Sequence, residues 1–279
     1  MDNNLFNIRQ IDNDVVLSCP CFSLAQTLDC GQAFRFYEKD GIWQGVVQNI
    51  HLKMRENDDK SITFFNITKD YFMKNLYEYF TLDFDYISLQ SILKQDEILK
   101  KAISLASGIR ILKQDKWETV CSFIISQNNN IPRIKGIIGR LCENFGEKID
   151  DSEEYTFPSA EKISQLSVED LAPIRAGFRA KYIIDAARKI ADGAIDFDIL
   201  ESAPLDDARN ELMKIKGVGP KVAECVLLFS CARFDAFPLD VWMKRVMDTL
   251  YKDGLPDFAK RYKGIAQQYL FNYARTIKL

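Results

Sequence analysis

The chain has 279 residues, 47% of them hydrophobic and 28% charged, an ordinary globular composition that excludes collagen-like, disordered and disulfide-dense classes. At roughly 150 residues per domain this length corresponds to about two domains. The net charge of −3 lies wholly within residues 1–110, with 12 basic and 15 acidic side chains, while residues 111–279 hold 25 of each; taken alone, this argues against a nucleic-acid partner, which usually leaves a basic footprint.

The chain opens Met1-Asp2-Asn3-Asn4, which is no secretory signal, and no apolar run reaches the ~18 residues that cross a bilayer. A soluble cytoplasmic protein without membrane contact is expected. Seven cysteines, an odd number spread along the chain, suit reduced thiols better than a disulfide framework. Only Cys19 and Cys21 form a close pair and the one histidine is His51, so neither a structural zinc site nor a four-cysteine iron–sulfur run can be built.

Residues 15 to about 68 read as strands, in runs such as Ala33-Phe34-Arg35-Phe36-Tyr37 and Ile62-Thr63-Phe64-Phe65. Lys39-Asp40-Gly41 supplies an Asp-Gly hairpin turn, and Glu56-Asn57-Asp58-Asp59-Lys60 a second, polar one. His51 falls in a strand without an obvious partner, which gives Ser-His-Asp or Cys-His chemistry no footing. After Lys69 the apolar period changes to about 3.6. Phe72, Leu76 and Phe80 mark one helical face, Trp117, Val120, Cys121, Ile124 and Ile125 a second, and Ile183, Ile184, Ala187 and Ile190 a third, closed by Asp192-Gly193. Ser167 to Asp170 has the spacing of a capping box. Strands followed by helices, without βαβ alternation, predict an α+β protein. Residues 1–87 form its N-terminal antiparallel β-sheet domain and residues 88–279 a mainly α-helical domain.

The segment Asn210 to Leu228 is the most informative. A helix should run to about Lys214; Gly217 and Gly219, separated by Val218, then permit a tight hairpin, and Pro220 fits the first turn of a second helix. This helix-hairpin-helix exposes backbone N–H groups at a helix N-terminus, a seat for a phosphate without sequence readout. A nucleotide phosphate loop is excluded, because one residue separates the glycines and Val222 follows Lys221. Arg175, Arg179, Lys181, Arg188, Lys189, Lys214, Lys216 and Lys221 could compose a basic face within the neutral half of the chain. For Lys221, a phosphate contact and an amine nucleophile stand as even alternatives. Nineteen residues on, Asp240 stands where a new helix begins, as an N-cap; if it approaches Lys221, the pair supplies a nucleophile and a carboxylate able to stabilise a cationic sugar.

Gly217-Val-Gly-Pro-Lys221-Val-Ala-Glu-Cys225 followed by Phe237-Pro-Leu-Asp240-Val resembles the helix-hairpin-helix DNA glycosylase superfamily, and its 8-oxoguanine DNA glycosylase branch in particular. The resemblance extends over nearly the whole chain, from Leu28-Asp-Cys-Gly31-Gln-Ala-Phe-Arg35 onward. It implies a bifunctional DNA glycosylase/AP lyase that excises 8-oxoguanine from duplex DNA by base flipping, with Lys221 and Asp240 catalytic, imine formation and β-elimination. The Gly31 carbonyl would meet the N7 hydrogen that oxidised guanine has and guanine lacks. Gln267 and Phe271, four apart on one helix face, would read and stack the base, with Cys225 as the opposite wall. Asn128 would fill the gap left by the base and Arg133 meet its former partner, with Phe178 as an apolar wedge and Arg179 beside the orphaned cytosine. Gly217, Val218, Gly219 and Trp242 would face DNA.

Three positions depart from the pattern: Trp242 where histidine is common, Ala274 where some relatives are acidic, and Phe178 in place of tyrosine. The resemblance implies no cofactor and no catalytic metal, while a structural cation could sit on the carbonyls of Met213, Ile215 and Val218. A monomer is expected, with double-stranded DNA containing 8-oxoguanine as partner, nucleoid-associated in a bacterium. The alternatives are a glycosylase for other damaged purines such as alkylated bases, and a non-catalytic helix-hairpin-helix DNA-binding module.

Overall fold

The computed structural model describes residues 6–149 and 152–279, so the chain start Met1–Asn4 lies outside the described residues. In chain order come β1 (Asn7–Ile11), β2 (Asp14–Ser18), α1 (Leu24–Leu28), β3 (Tyr37–Lys39), β4 (Ile42–Val47), β5 (Ile50–Glu56) and β6 (Ile62–Phe64). Then follow α2 (Lys69–Tyr71), α3 (Tyr86–Leu93), α4 (Glu97–Leu105), α5 (Lys116–Ser126), α6 (Ile131–Phe145), α7 (Ala160–Ser164) and α8 (Ala180–Ala191). The last are α9 (Phe197–Ser202), α10 (Leu205–Met213), α11 (Pro220–Cys231), α12 (Val241–Leu250), α13 (Asp257–Lys260) and α14 (Lys263–Ile277). This is the α+β order expected.

The strands form one antiparallel sheet in the order β1-β2-β6-β5-β4-β3. Asp40 and Gly41 both have positive φ, 53° and 77°, the backbone of a hairpin turn whose twist matches its flanking strands, and Lys39 pairs with Ile42. The polar turn closes through the Asn57 N–H on the Ser61 carbonyl at 2.8 Å, braced by Asp59 accepting the Ser61 N–H at 2.9 Å. His51 lies in β5. Two readings of this region change. Residues 33–36 are irregular and only Tyr37 of that run lies in a strand, at the start of β3, while Leu24–Leu28 is a short helix within the strand-like region. Ala33, Phe34 and Phe36 are buried, so their apolar character reports a core contact and not a ladder; side-chain pattern alone does not separate the two.

The chain divides into two compact units. The first comprises residues up to Gln44, Leu52–Lys113 and Phe237–Leu279; the second comprises Gly45–His51 and Gln114–Ala236. This line differs from a division at residue 87, because the last helices share the core of the first 113 residues: α14 packs on α4 and α12, and Gln90 donates to the Tyr269 hydroxyl at 3.0 Å. In the first unit Phe64 lies edge-on to Phe72 at 4.9 Å and to Phe80 at 5.6 Å, and Phe80 meets Phe22 at 5.3 Å. Phe72, Leu76 and Phe80 are all buried, although the chain there widens from α2 into a π-helical stretch, Phe72–Leu76.

In the second unit the apolar face of α5 is buried, as expected, and Phe123 stacks on Phe229 of α11 at 5.4 Å. Ile183, Ile184 and Ala187 bury one side of α8, which ends before Gly193 at φ +69°. Ser167 and Asp170 make the reciprocal bonds of a capping box, 2.8 and 3.2 Å, but on a turn leading into the 3-10 segment Ala172–Ile174. Among the described residues no helix is long and apolar enough to cross a membrane.

Arg110, 2% exposed, is the largest fully buried side chain of the first unit. Its guanidinium donates to the carbonyls of Phe80 at 3.1 Å, Thr81 at 2.7 Å and Phe84 at 3.2 Å and lies 4.1 Å over the Tyr86 ring. Replacing it by Met leaves three carbonyls without that donor, so Arg110→Met is expected to lower unfolding stability by about 3 kcal/mol. Urea titration checks this, and a change below about 1 kcal/mol would contradict it.

Candidate nucleic-acid interface

In the second unit α10 ends at Met213, the chain turns at Gly217 with φ +81°, and α11 begins at Pro220. The two glycines do different work. A Cβ on Gly217 would lie 2.5 Å from the Tyr182 ring, whereas one on Gly219 would meet nothing within 4 Å. Tyr182 therefore packs where Gly217 lacks a side chain, and the space in front of the first amides of α11 is open to an anion. Helix α8 holds the turn in shape. The Asp185 carboxylate accepts the Lys216 N–H at 2.8 Å, and the Lys189 ammonium reaches Asp185 at 2.9 Å and the Lys214 carbonyl at 2.5 Å. Burial opposes ionisation of Asp185, but these bonds and charges hold its carboxyl below the usual range. Arg209 of α10 clasps the buried Glu224 of α11, joining the two helices.

Lys221 is half-buried in the first turn of α11, with its Nζ 5.4 Å above the Phe123 ring, a favourable place for a cation. Cys225 follows one turn on and is buried. The Met213 and Val218 carbonyls receive no hydrogen bond among the described residues, and Ile215 accepts only the Val218 N–H at 3.1 Å. An oxygen-only set of this kind fits a hard cation, which would brace the hairpin. Of the basic candidates, Arg188 is turned onto the Ser164 and Leu166 carbonyls and Lys214 onto Glu211. Arg175, Lys181 and Lys216 remain exposed.

The three asparagines after α5 have separate tasks. Asn129 donates to the Ile125 carbonyl at 3.2 Å, closing α5, and Asn130 accepts the Arg133 N–H at 3.0 Å, capping α6. Asn128 is exposed at the tip with φ +48°, and its side chain makes no hydrogen bond among the described residues. Phe178, 50% exposed, sits in the 3-10 turn Gly177–Arg179, with its ring edge-on to Tyr182 at 6.1 Å. Arg133 is exposed, whereas Arg179 is 3% exposed. The Arg179 guanidinium donates to the carbonyls of Gln127, Asn128 and Ala176 and lies 4.5 Å over the Phe178 ring. It welds the loop carrying Asn128 to the turn carrying Phe178, a task that no local pattern indicated.

The first unit carries the remaining positions. Asp240 caps α12, accepting the Met243 N–H at 2.8 Å, and Trp242 lies under the Arg245 guanidinium at 5.2 Å. Ala274 is fully buried and offers no polar rim group. Phe271 is half-buried, with the Arg275 guanidinium 5.3 Å from its ring centre. Gln267 is buried; its Nε2 is 3.4 Å from the Pro238 carbonyl, and its Oε1 has no hydrogen-bond partner among the described residues. Gly31 stands at φ +86°, a conformation that favours glycine. Burial pushes the neighbouring Cys30 thiol up to about 11, and it stays protonated as a donor to the Thr27 carbonyl at 3.2 Å. Gln32 and Gln268, which flank this loop, were not singled out by sequence.

A glycine hairpin with an open helix N-terminus, together with the exposed Asn128 and Phe178 tips, is an arrangement suited to a nucleic-acid backbone. Residues 121–257 match the HhH-GPD superfamily of base excision DNA repair proteins, and residues 14–120 match the 8-oxoguanine DNA glycosylase N-terminal domain. The N-glycosylase/DNA lyase of Saccharomyces cerevisiae is 32% identical, over 87% of this chain and 73% of its own length. The Clostridium acetobutylicum 8-oxoguanine glycosylase/lyase, solved with double-stranded DNA containing cytosine opposite 8-oxoG, is 34% identical with a TM-score of 0.91, over 99% of this chain and 100% of that one. MBOgg1, solved with a low-affinity DNA ligand, is 39% identical with a TM-score of 0.92, over 98% and 99%. The chain belongs to the 8-oxoguanine DNA glycosylase family.

The hairpin geometry separates two substitutions. Gly217→Ala forces a Cβ into the Tyr182 ring at positive φ and is expected to cost about 2 kcal/mol or more of stability. Gly219→Ala is expected to change stability by less than about 0.5 kcal/mol while weakening duplex binding about tenfold, because its methyl occupies the space a phosphate needs. Thermal melts together with fluorescence-anisotropy titrations read both; equal binding by the Gly219→Ala protein would contradict the phosphate seat.

Proposed function

We propose that the chain is a bifunctional DNA glycosylase/AP lyase that removes 8-oxoguanine from duplex DNA. One observation carries the substrate reading: among the described residues the buried Gln267 Oε1 has no hydrogen-bond partner, and the half-buried Gly31 carbonyl of the same unit accepts no hydrogen bond. An unpaired buried acceptor costs on the order of 1–3 kcal/mol, recovered when a ligand supplies the donor. 8-Oxoguanine presents N7–H on one edge and N1–H and N2–H on the other; guanine has a bare N7, whose lone pair would oppose a carbonyl. The relatives' names support the same reading, since the Clostridium acetobutylicum protein is an 8-oxoguanine glycosylase/lyase.

In this mechanism the hairpin amides hold the backbone, Phe178 wedges the duplex open and Asn128 occupies the space the base leaves. Phe271 offers an aromatic face to the extruded base and Cys225 a polarisable one. The Lys221 amine, after losing its proton, attacks C1′ as the C1′–N9 bond breaks and its electron pair leaves with the base, which takes up a proton. Asp240, aimed by its bond to the Met243 N–H, supplies negative charge to the cationic sugar. Ring opening gives an imine between Lys221 and C1′; loss of a C2′ proton then expels the 3′ phosphate by β-elimination, cutting the strand.

Borohydride trapping on a duplex with one 8-oxoguanine opposite cytosine tests both halves. Wild type is expected to form a covalent adduct and Lys221→Gln none, with base release falling at least about a thousandfold. Base release without an adduct would leave a monofunctional glycosylase; binding without either would favour a non-catalytic module.

A further inference from the structure

Gln267 and Gln268 are consecutive on α14, and the reading above gives a task to the first alone. Gln268 is 2% exposed, and its Nε2 donates to the Cys30 carbonyl at 2.9 Å, across 238 residues of chain. That carbonyl belongs to the peptide joining Cys30 to Gly31, so the bond fixes the backbone on the N-terminal side of Gly31. On the other side Gln32, 1% exposed, donates to the Thr27 and Arg110 carbonyls, both at 2.8 Å, and accepts the Leu112 N–H at 2.9 Å. Gly31 itself receives no such support: its carbonyl accepts no hydrogen bond among the described residues. A glycine so placed could swing its carbonyl away from an unfavourable base edge, and only its two neighbours hold it.

We propose that Gln268 is a specificity-setting positioning residue, locking the Gly31 carbonyl at a set spacing from the Gln267 acceptor one residue away on α14. The inference rests on the 8-oxoguanine reading. Gln32 ties the loop to segments that carry no base-reading group, whereas Gln268 ties it to the helix that carries Gln267 and Phe271. A base then satisfies both acceptors only if it carries donors on its N7 edge and on its Watson–Crick edge together. A base with a bare N7 cannot be accommodated by displacing the carbonyl, because that displacement breaks the Gln268 bond and leaves buried groups unpaired. Gln268 touches no base in this account; it acts through Cys30.

The test compares full-length protein carrying Lys221→Gln, which binds without cutting, with the same protein also carrying Gln268→Met, of similar volume but without a donor. Each is titrated with duplexes holding 8-oxoguanine, guanine or a tetrahydrofuran abasic analogue opposite cytosine. The expected result is a fall of about tenfold in the preference for 8-oxoguanine over guanine, with tetrahydrofuran affinity kept within about twofold, because the analogue has no base to read. Gln268→Asn, which retains an amide donor one methylene short, is expected to fall between, and it serves as the probe if the Met variant does not fold. A parallel loss on all three duplexes would mark a merely structural residue and overturn the proposal, as would an unchanged 8-oxoguanine to guanine ratio. No preference in the Lys221→Gln parent would overturn the substrate reading itself, and this proposal with it.

Discussion

The Gln32 side chain joins three pieces of backbone: its amide group donates to the Thr27 and Arg110 carbonyls while its oxygen accepts the Leu112 N–H. The loop it anchors has no strand or helix of its own between Asp29 and Phe36, and buried backbone polar groups must find partners somewhere. Here the partners are side-chain amides. Gln32 and Gln268 supply donors to the loop and its surroundings, and Arg110 below supplies a charged fork to three further carbonyls. Such a network is stable only when every member is satisfied. The Gly31 carbonyl and the Gln267 Oε1 stand outside it, without hydrogen-bond partners among the described residues.

The same device recurs in the second unit with charged donors. Arg179 is buried beneath the Asn128 and Phe178 tips and spends its guanidinium on the carbonyls of Gln127, Asn128 and Ala176. Asp185 and Lys189, on the same helix, grip the hairpin turn through the Lys216 N–H and the Lys214 carbonyl. Helix α8 thus follows directly on the turn carrying Phe178 and braces the hairpin turn along its side, so the spacing of the two follows from a rigid rod of known rise. A wedge must be rigid to unstack a duplex, since a flexible one would yield before the bases did.

The chain binds DNA with a net charge of −3. Two of the cations are buried, Arg110 and Arg179, and these, like the more exposed Arg188 and Lys189, donate to backbone carbonyls. Backbone amides at a helix N-terminus, such as those opening α11, can seat an anion without a formal charge, which reduces the need for an extended basic face.

Features governed by short-range sterics could be read along the chain. The Gly217-Val218-Gly219-Pro220 hairpin, the Asp40-Gly41 turn, the Asp240 cap and the apolar face of α5 each depend on residues within a few positions of one another, and each stands where its spacing placed it. The family resemblance pointed to single positions such as Gly31, which the structure places at positive φ, and Gln267, which it buries. Tertiary structure decided the rest. Residues 33–36 have the composition of a strand, but no ladder forms there and Ala33, Phe34 and Phe36 are buried in the core instead. Arg179 has the character of a DNA contact, yet burial beneath two loops turned its donors to their carbonyls. The bond from Gln268 to Cys30 joins residues 238 apart, and the final helices share the core of the first 113 residues. Periodicity specifies which face of an element is apolar; which distant segment supplies the hydrogen-bond partner is settled only when the chain is packed in three dimensions.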